Sequence, residues 1–393
     1  MMKKNENNPL EGIEFVDALE DTDNQLGPPG DIEVPDVGVK PQEAIMSRNL
    51  ELEDRLDNLE IEGLVIQAGS EYSNSISQVS PADRGVTYKD AKVDEWDVFY
   101  DRAKSIFTEL KTKHYVSGDS IKSIIGSFLD IFSVDRNILL TLSQLPNSRV
   151  YNPSEHAMKV SILSLCIGTA MGYDKNQLIE LGMCAFASSL GMVFMDDIYL
   201  STKPLNKEQQ LRLRSHPMVG ANIVDSTRGM PMVASLVVYQ IHEREDGLGY
   251  PKQRKGRFIH QYAKIIAVAD VFQALCSPRA HRPSFKPFEA MTRVLSMVKI
   301  GHLAVEVVKP FMRYTSLYPI GSLVRLADQK IARVIAANQE QVKSPVVSVI
   351  YDSHDTLLKD EAIYQIDLSQ ELKHQIIATL RESDVNTSKL KGL

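Results

Sequence analysis

His242-Glu243-Arg244-Glu245-Asp246-Gly247-Leu248-Gly249-Tyr250-Pro251 is the stretch on which the reading of this chain turns. It follows an apolar helical run, Met232 to Tyr239, and breaks it: two glycines and a proline lie within five residues. Glycine reaches backbone conformations closed to other residues, and proline lacks the amide that continues a helix. A His-Glu pair at a helix end, followed by an aspartate and a glycine-shaped loop, can present metal ligands and a ligand-contacting aromatic together. Taken alone, the segment reads equally well as an ordinary exposed turn.

Outward from this loop the pattern is helical. Phe99, Ala103, Ile106, Phe107 and Leu110 form one stripe at spacings of three and four. Ile121 to Phe132 predicts a second helix and Val134 to Leu145 a third. His156 to Met171 is apolar nearly all round, the mark of a central helix. Leu178 to Ser189 follows, then a helix opened by Leu205-Asn206-Lys207-Glu208 with Asn206 as N-cap. Further helices are expected over His216–Ser226, Met232–His242, Tyr262–Leu275 and Pro287–Lys299. Beyond residue 315 the character changes. Ser322 to Leu326, Ile331 to Ile335, Val346 to Tyr351 and Ala362 to Ile366 are β-rich and partly alternating, with turn residues at Asp328-Gln329 and Ser353 to Asp355. They predict a small antiparallel sheet or partial barrel.

Residues 1–92 lack a sustained pattern. Gly27-Pro28-Pro29-Gly30 is a breaker cluster, and Glu51 to Leu64 holds one short amphipathic stretch with Leu52, Leu56, Leu59 and Ile61. The expected fold is therefore mainly α: a flexible, largely disordered acidic N-terminal arm (1–92), an all-helical domain (93–315, motif core 146–300) and a β-rich C-terminal extension (316–393).

Composition narrows the class. The chain has 393 residues, 43% hydrophobic and 24% charged, with a net charge of −7. Met1–Glu60 carries 16 acidic against 5 basic residues, which leaves the rest of the chain at about +4. That slight excess suits a phosphate-bearing ligand and is too small to argue nucleic-acid binding. No run approaches the roughly 18–20 apolar residues of a membrane span, and the N-terminus does not read as a signal peptide. Cys166, Cys184 and Cys276 are widely spaced and form no CxxC pair, which predicts reduced thiols in a cytoplasmic protein and no cysteine zinc site.

The wording of the His242–Pro251 loop closely resembles the loop that names the HD-GYP proteins, a bacterial branch of the HD-domain metal-dependent phosphohydrolases. The resemblance extends to four other elements, in order, over about 130 residues. Tyr151 to His156 heads a long helix as the family's first signature histidine does. Leu200-Ser201-Thr202-Lys203-Pro204-Leu205-Asn206-Lys207-Glu208 is close to the family's Lys-Pro-Gly-x-Leu-Thr-x-Glu-Glu. His216-Pro217-Met218-Val219-Gly220 matches a His-Pro-x-x-Gly element, and Lys264 to Leu275 matches the helix that carries the last metal-binding aspartate, here Asp270. Arg279 and Arg282 follow where the family has basic residues that hold ligand phosphates. Tyr318 to Leu326 also resembles an extension seen after some members.

This resemblance implies metal-assisted hydrolysis of cyclic-di-GMP, in which cations bound by imidazoles and carboxylates, suited to iron or manganese, lower the pKa of a bridging water. Several expected groups are replaced. Ser188-Ser189 stands where the His-Asp pair belongs, Met192 where a phosphate-contacting lysine does, and Ile241 in place of a histidine. Asn152 falls at an additional glutamate ligand and Gln273 at an aspartate. Four candidate metal ligands remain, an incomplete set: His156, His216, His242 and Asp270. They would hold one Fe or Mn ion if they converge, or none. Gly249, Tyr250 and Pro251 with Arg279 and Arg282 form the candidate ligand-binding set, Tyr250 over a guanine base and the arginines as a phosphate clamp with His281 beside them. Bland readings stand next to these: His156 and His216 as satisfied buried histidines, Asp270 paired with Lys264 or Arg279, Tyr250 as packing, and the arginines as a solvated helix end.

Three functions follow. The first is a degenerate HD-GYP protein of bacterial cyclic-di-GMP signalling, a ligand-binding or protein-interaction regulator with weak or no hydrolysis, using its arm or extension for protein partners. The second is an active metal-dependent phosphodiesterase with an unconventional centre, recruiting Glu155, Glu180, Asp196 or Asp197. The third is a scaffold without nucleotide binding.

Overall fold

In the computed structural model the structure describes residues 93–134, 139–140, 143, 151–279, 284–338, 341–370, 374–380 and 385. The acidic N-terminal region, most of the helix expected over Val134–Leu145, and His281 and Arg282 lie outside the described residues. Among the described residues the helices are α1 (Val93–Lys113), α2 (Gly118–Val134), α3 (Pro153–Ala170), α4 (Lys175–Ala187), α5 (Asp196–Tyr199), α6 (Lys207–Arg214), α7 (His216–Asp225), α8 (Ala234–Gln240), α9 (Gln261–Cys276), α10 (Pro287–Lys299) and α11 (Val305–Thr315). A 3₁₀ turn, Leu190–Phe194, links α4 to α5. The strands are β1 (Leu323–Leu326), β2 (Ile331–Ala336), β3 (Val346–Tyr351), β4 (Tyr364–Asp367) and β5 (Ile376–Leu380).

Helix α3 is the centre. Asn152 caps it, its side chain accepting from the Ser154 and Glu155 amides, and Pro153 fills the first position, where no amide is missed. Buried residues run along α3 on every side, as its all-round apolarity predicts, and α4, α9, α11 and α1 pack around it. Phe128, Phe186, Phe272 and Phe311 are fully buried in the shared core, each contributing about 1.5–3 kcal/mol of transfer free energy. Lys175–Phe194, spanning α4 and the 3₁₀ turn, has the length and apolarity of a membrane span, yet 78% of that apolar window is buried inside the fold. The sequence reading missed this run.

Two other boundaries differ from the periodicity. The helix expected over Met232–His242 is the short α8, Ala234–Gln240, with Met232 at 99% exposure before it. Helix α11 carries Pro310 in its interior, a breaker that hides it from a sequence pass. The sheet is wholly antiparallel in the order β4-β3-β2-β1-β5. One face, Val324, Leu326, Ala332, Val334, Val347, Val349 and Ile366, joins the main helical core, while Leu323, Ile331, Ile350 and Tyr351 build a smaller cluster on the other. That division follows from the period of two along a strand, except that Tyr351 changes face where the β2–β3 register shifts between Ile331 and Ala332.

Candidate functional site

Four polar side chains from four segments meet at the middle of the helical domain. His156 stands in the first turn of α3 and Asp270 near the middle of α9; their Nε2 and Oδ1 atoms are 2.8 Å apart. His216 opens α7, and His242 follows α8 in the turn; their Nε2 atoms are 3.0 Å apart. The three histidines are buried.

The hydrogen bonds assign the tautomers. A carboxylate only accepts, so His156 donates through Nε2–H to Asp270. The His216 Nδ1–H donates to the Leu213 carbonyl at 2.8 Å, which leaves its Nε2 lone pair to accept from His242 Nε2–H. Burial lowers the pKa of His216, and burial followed by the neighbouring His216 lowers that of His242 well below the usual imidazole value. Both rings are therefore neutral, the form in which imidazole ligates a metal. Burial pushes the Asp270 carboxyl up, but the hydrogen bond from His156, with the neighbouring imidazoles behind it, outweighs that and holds the group below the usual carboxylate range. Three imidazoles around one ionised carboxylate is a donor chemistry that fits one divalent cation. As they stand the four form two hydrogen-bonded pairs, and among the described residues no three of such groups close on a common point. Buried His156 Nδ1 has no hydrogen-bond partner.

The positions that the resemblance reads as replacements have structural employment. Ser188 donates its hydroxyl to the Ala185 carbonyl at 2.7 Å, turning it back into its own helix. Ser189 is buried beside it. Gly191, two residues on, lets the turn touch α7: an added Cβ would lie 2.1 Å from the His216 carbonyl oxygen. Met192 packs with Tyr151, Met195 and Ile198 in an apolar cluster, and Ile241 joins the main core. Asn152 serves as the α3 cap, and Gln273 is buried with its Nε2 unpartnered. The carboxylates considered for recruitment are engaged elsewhere. Glu155 pairs with Lys159 at 2.7 Å, Asp196 with Lys111 and the Tyr199 hydroxyl, and Asp197 with Arg212 at 2.7 Å. Glu180 is 3.5 Å from the Tyr262 hydroxyl.

The loop after His242 is not built as the His-Glu pair suggested. Glu243 is turned away from the histidines and accepts the Lys252 and Arg254 amides, each at 2.8 Å, fastening the loop to its own start. Gly249 is required there, since an added Cβ would stand 2.4 Å from both the Arg244 nitrogen and the His242 oxygen. Tyr250 stacks on His242 with ring centres 4.8 Å apart, Arg214 lies 5.7 Å from its ring, and Pro251 follows through a cis peptide bond. Arg279 lies 4.3 Å over the Tyr151 ring, and Tyr151 in turn faces His156 at 5.3 Å. Lys264 pairs with Glu245 and Glu306 and not with Asp270. Sequence reasoning missed Arg214 and Gln240, and read Tyr151 only as the start of a motif. The Gln240 side chain bonds the His260 amide and the Phe258 carbonyl. No local pattern marks these contacts.

The helical part of the chain is similar to HD domains. Residues 141–304 match the family model described as "HD domain", and residues 323–388 match that of a "KOW domain associated with HD domain". The chain is thus similar to HD-domain proteins over its helical part. It is 27% identical over 218 residues to the cyclic di-GMP phosphodiesterase PA4108 of Pseudomonas aeruginosa, covering 55% of this chain and 52% of that one. It is 23% identical over 209 residues to the cyclic di-GMP phosphodiesterase PdeB of Borreliella burgdorferi, covering 52% and 54%. With the 3'3'-cGAMP-specific phosphodiesterase 1 of Vibrio cholerae it shares 25% over 183 residues, 46% of this chain and 42% of that one. The chain thus spans about half the length of the curated relatives it matches. The solved structure of Bd1817, a HDG"Y"P protein from Bdellovibrio bacteriovorus, superposes with a TM-score of 0.48 at 17% identity, over 59% of this chain and 73% of that one.

Proposed function

We propose that this HD-GYP domain is a cytoplasmic receptor for cyclic-di-GMP that hydrolyses its ligand slowly or not at all and signals through contacts of its other segments, the 316–393 extension among them. One observation carries the reading. The Ser188 hydroxyl is committed to a main-chain carbonyl, and Ser188 and Ser189 are the residues that the resemblance sets in the place of the bridging His-Asp pair. Hydrolysis in this class needs an anion that bridges two cations and an activated water between them. A serine hydroxyl already donating to a carbonyl is a poor bridge. The residual set, His156, His216, His242 and Asp270, would hold one Fe or Mn ion, which would supply Lewis-acid polarisation of a phosphate oxygen. This chain's own residues orient the ligand: Tyr250 offers an aromatic face, and Arg279 with Arg282 offers guanidinium forks to the phosphates.

The names of the relatives favour a second reading, an active phosphodiesterase with an unconventional centre. An anaerobic turnover assay of the purified protein with cyclic-di-GMP and iron or manganese separates the two. Metal-dependent product that disappears in Asp270→Asn would refute the receptor reading. Absence of product at high enzyme concentration, with saturable binding in a calorimetric titration, supports it. Replacing Arg279 and Arg282 together with alanine is expected to abolish that binding, and unchanged affinity would remove the proposed clamp.

A further inference from the structure

The loop that follows Tyr250-Pro251 carries Lys252, Arg254, Lys255 and Arg257 within six residues, all four side chains exposed. Among the described residues none of the four has a carboxylate partner. The neighbouring acids are spent elsewhere: Glu243 on the loop's own amides, Glu245 on Lys264, and Asp246 on His302 and the Leu248 amide. Nor is the cluster a floppy run. Glu243 holds the Lys252 and Arg254 amides, the Glu245 carbonyl accepts the Gly256 amide at 3.1 Å, and Gln240 holds the Phe258 carbonyl. Exposed Leu248 and Phe258 flank the cations. Four uncompensated charges on a fixed backbone raise the potential at one spot, a cost an acidic partner relieves.

We propose that this loop is the docking surface for the chain's own acidic segment Met1–Glu60. The charges are complementary, 16 acidic against 5 basic residues in the segment. Length permits the contact: the roughly 30 residues between Glu60 and Val93 span up to about 100 Å when extended. A domain of some 220 residues has a radius of gyration near about 17 Å. Covalent attachment raises the effective concentration of the segment above that of a free acidic partner.

The test is carbodiimide cross-linking of the full chain followed by peptide mass spectrometry, with no nucleotide present. Lys252 and Lys255 are expected to form amides with carboxylates of residues 1–60. Yield should collapse when salt rises from about 0.1 to about 1 M, which shortens the screening length from about 10 to about 3 Å. Arg254→Glu with Arg257→Glu leaves both lysines in place and should lower the yield about tenfold, with an unchanged melting curve showing that the fold persists. Cross-links from the two lysines only to carboxylates of the folded domain, or none, would overturn the proposal. So would links that join labelled to unlabelled copies in an isotope mixture, since the occupant would then be a second copy.

Discussion

Glu243→Ala tests whether the loop after His242 is held by one carboxylate. Glu243 is 2% exposed, and its two oxygens accept two backbone amides at 2.8 Å each. Hydrogen bonds to a charged acceptor contribute about 1.5–3 kcal/mol apiece. Lys252 and Arg254 are themselves exposed, so water can take over the freed amides and the lower end of the range applies. The expected loss of local stability is about 3 kcal/mol. Hydrogen exchange of the Lys252 and Arg254 amides, read by NMR, should then accelerate about 100-fold, while amides in the middle of α3 and α9 change far less, because the loop opens below the global unfolding free energy. Glu243→Gln keeps one acceptor but turns an amide donor toward a backbone donor, and should lie between the two. Uniform acceleration across α3, α9 and the loop would show that Glu243 supports the whole core. Unchanged exchange at the two amides would refute the reasoning outright.

Three further outcomes follow from the same geometry. Gly249→Ala forces a Cβ against backbone atoms at 2.4 Å that no side-chain rotation can relieve; a loss of about 2–4 kcal/mol should lower the melting temperature clearly, and an unchanged melt would contradict the crowding. Cys184 is fully buried and burial raises its pKa, so it should resist a thiol reagent in the native protein while partly exposed Cys276 reacts; equal rates would count against the packing of α4. In metal-free protein, His216 and His242 have folded pKa values below the unfolded value near about 6.5. Their contribution is therefore full above that pH and is lost as pH falls toward their folded values, because the unfolded chain takes up protons that the folded chain does not. The urea midpoint should fall between pH 7.5 and pH 5, and a midpoint that rose over this interval would invert the assigned sign.

Much of the architecture is legible in the residue order because its causes are local. The three-and-four spacing of Phe99, Ala103, Ile106 and Leu110, the Asn206 cap with Gln209 behind it, and Pro287 at the head of α10 each appear in the structure where short-range chemistry puts them. The alternation along β2 and β3 likewise sorts residues to two faces. Helix α11 was hidden by Pro310, and β5 by its lack of strict alternation.

The site divides in the same way. Which residue types could carry chemistry was readable: His156, His216, His242 and Asp270, with serines where a His-Asp pair is expected. What each of them does was not. His156 and Asp270 are 114 positions apart and His216 and His242 are 26 apart, and only the packing of α3 against α9 and of α7 against α8 makes them pairs. Glu243, one residue from His242, reads as a ligand in sequence. It is a loop clasp in the structure because the chain turns back on it and delivers two amides that must be satisfied. Residue order sets periodicity, capping and donor chemistry, since those depend on a few neighbours. Partnership depends on which distant surfaces bury one another, and that is decided when the helices pack.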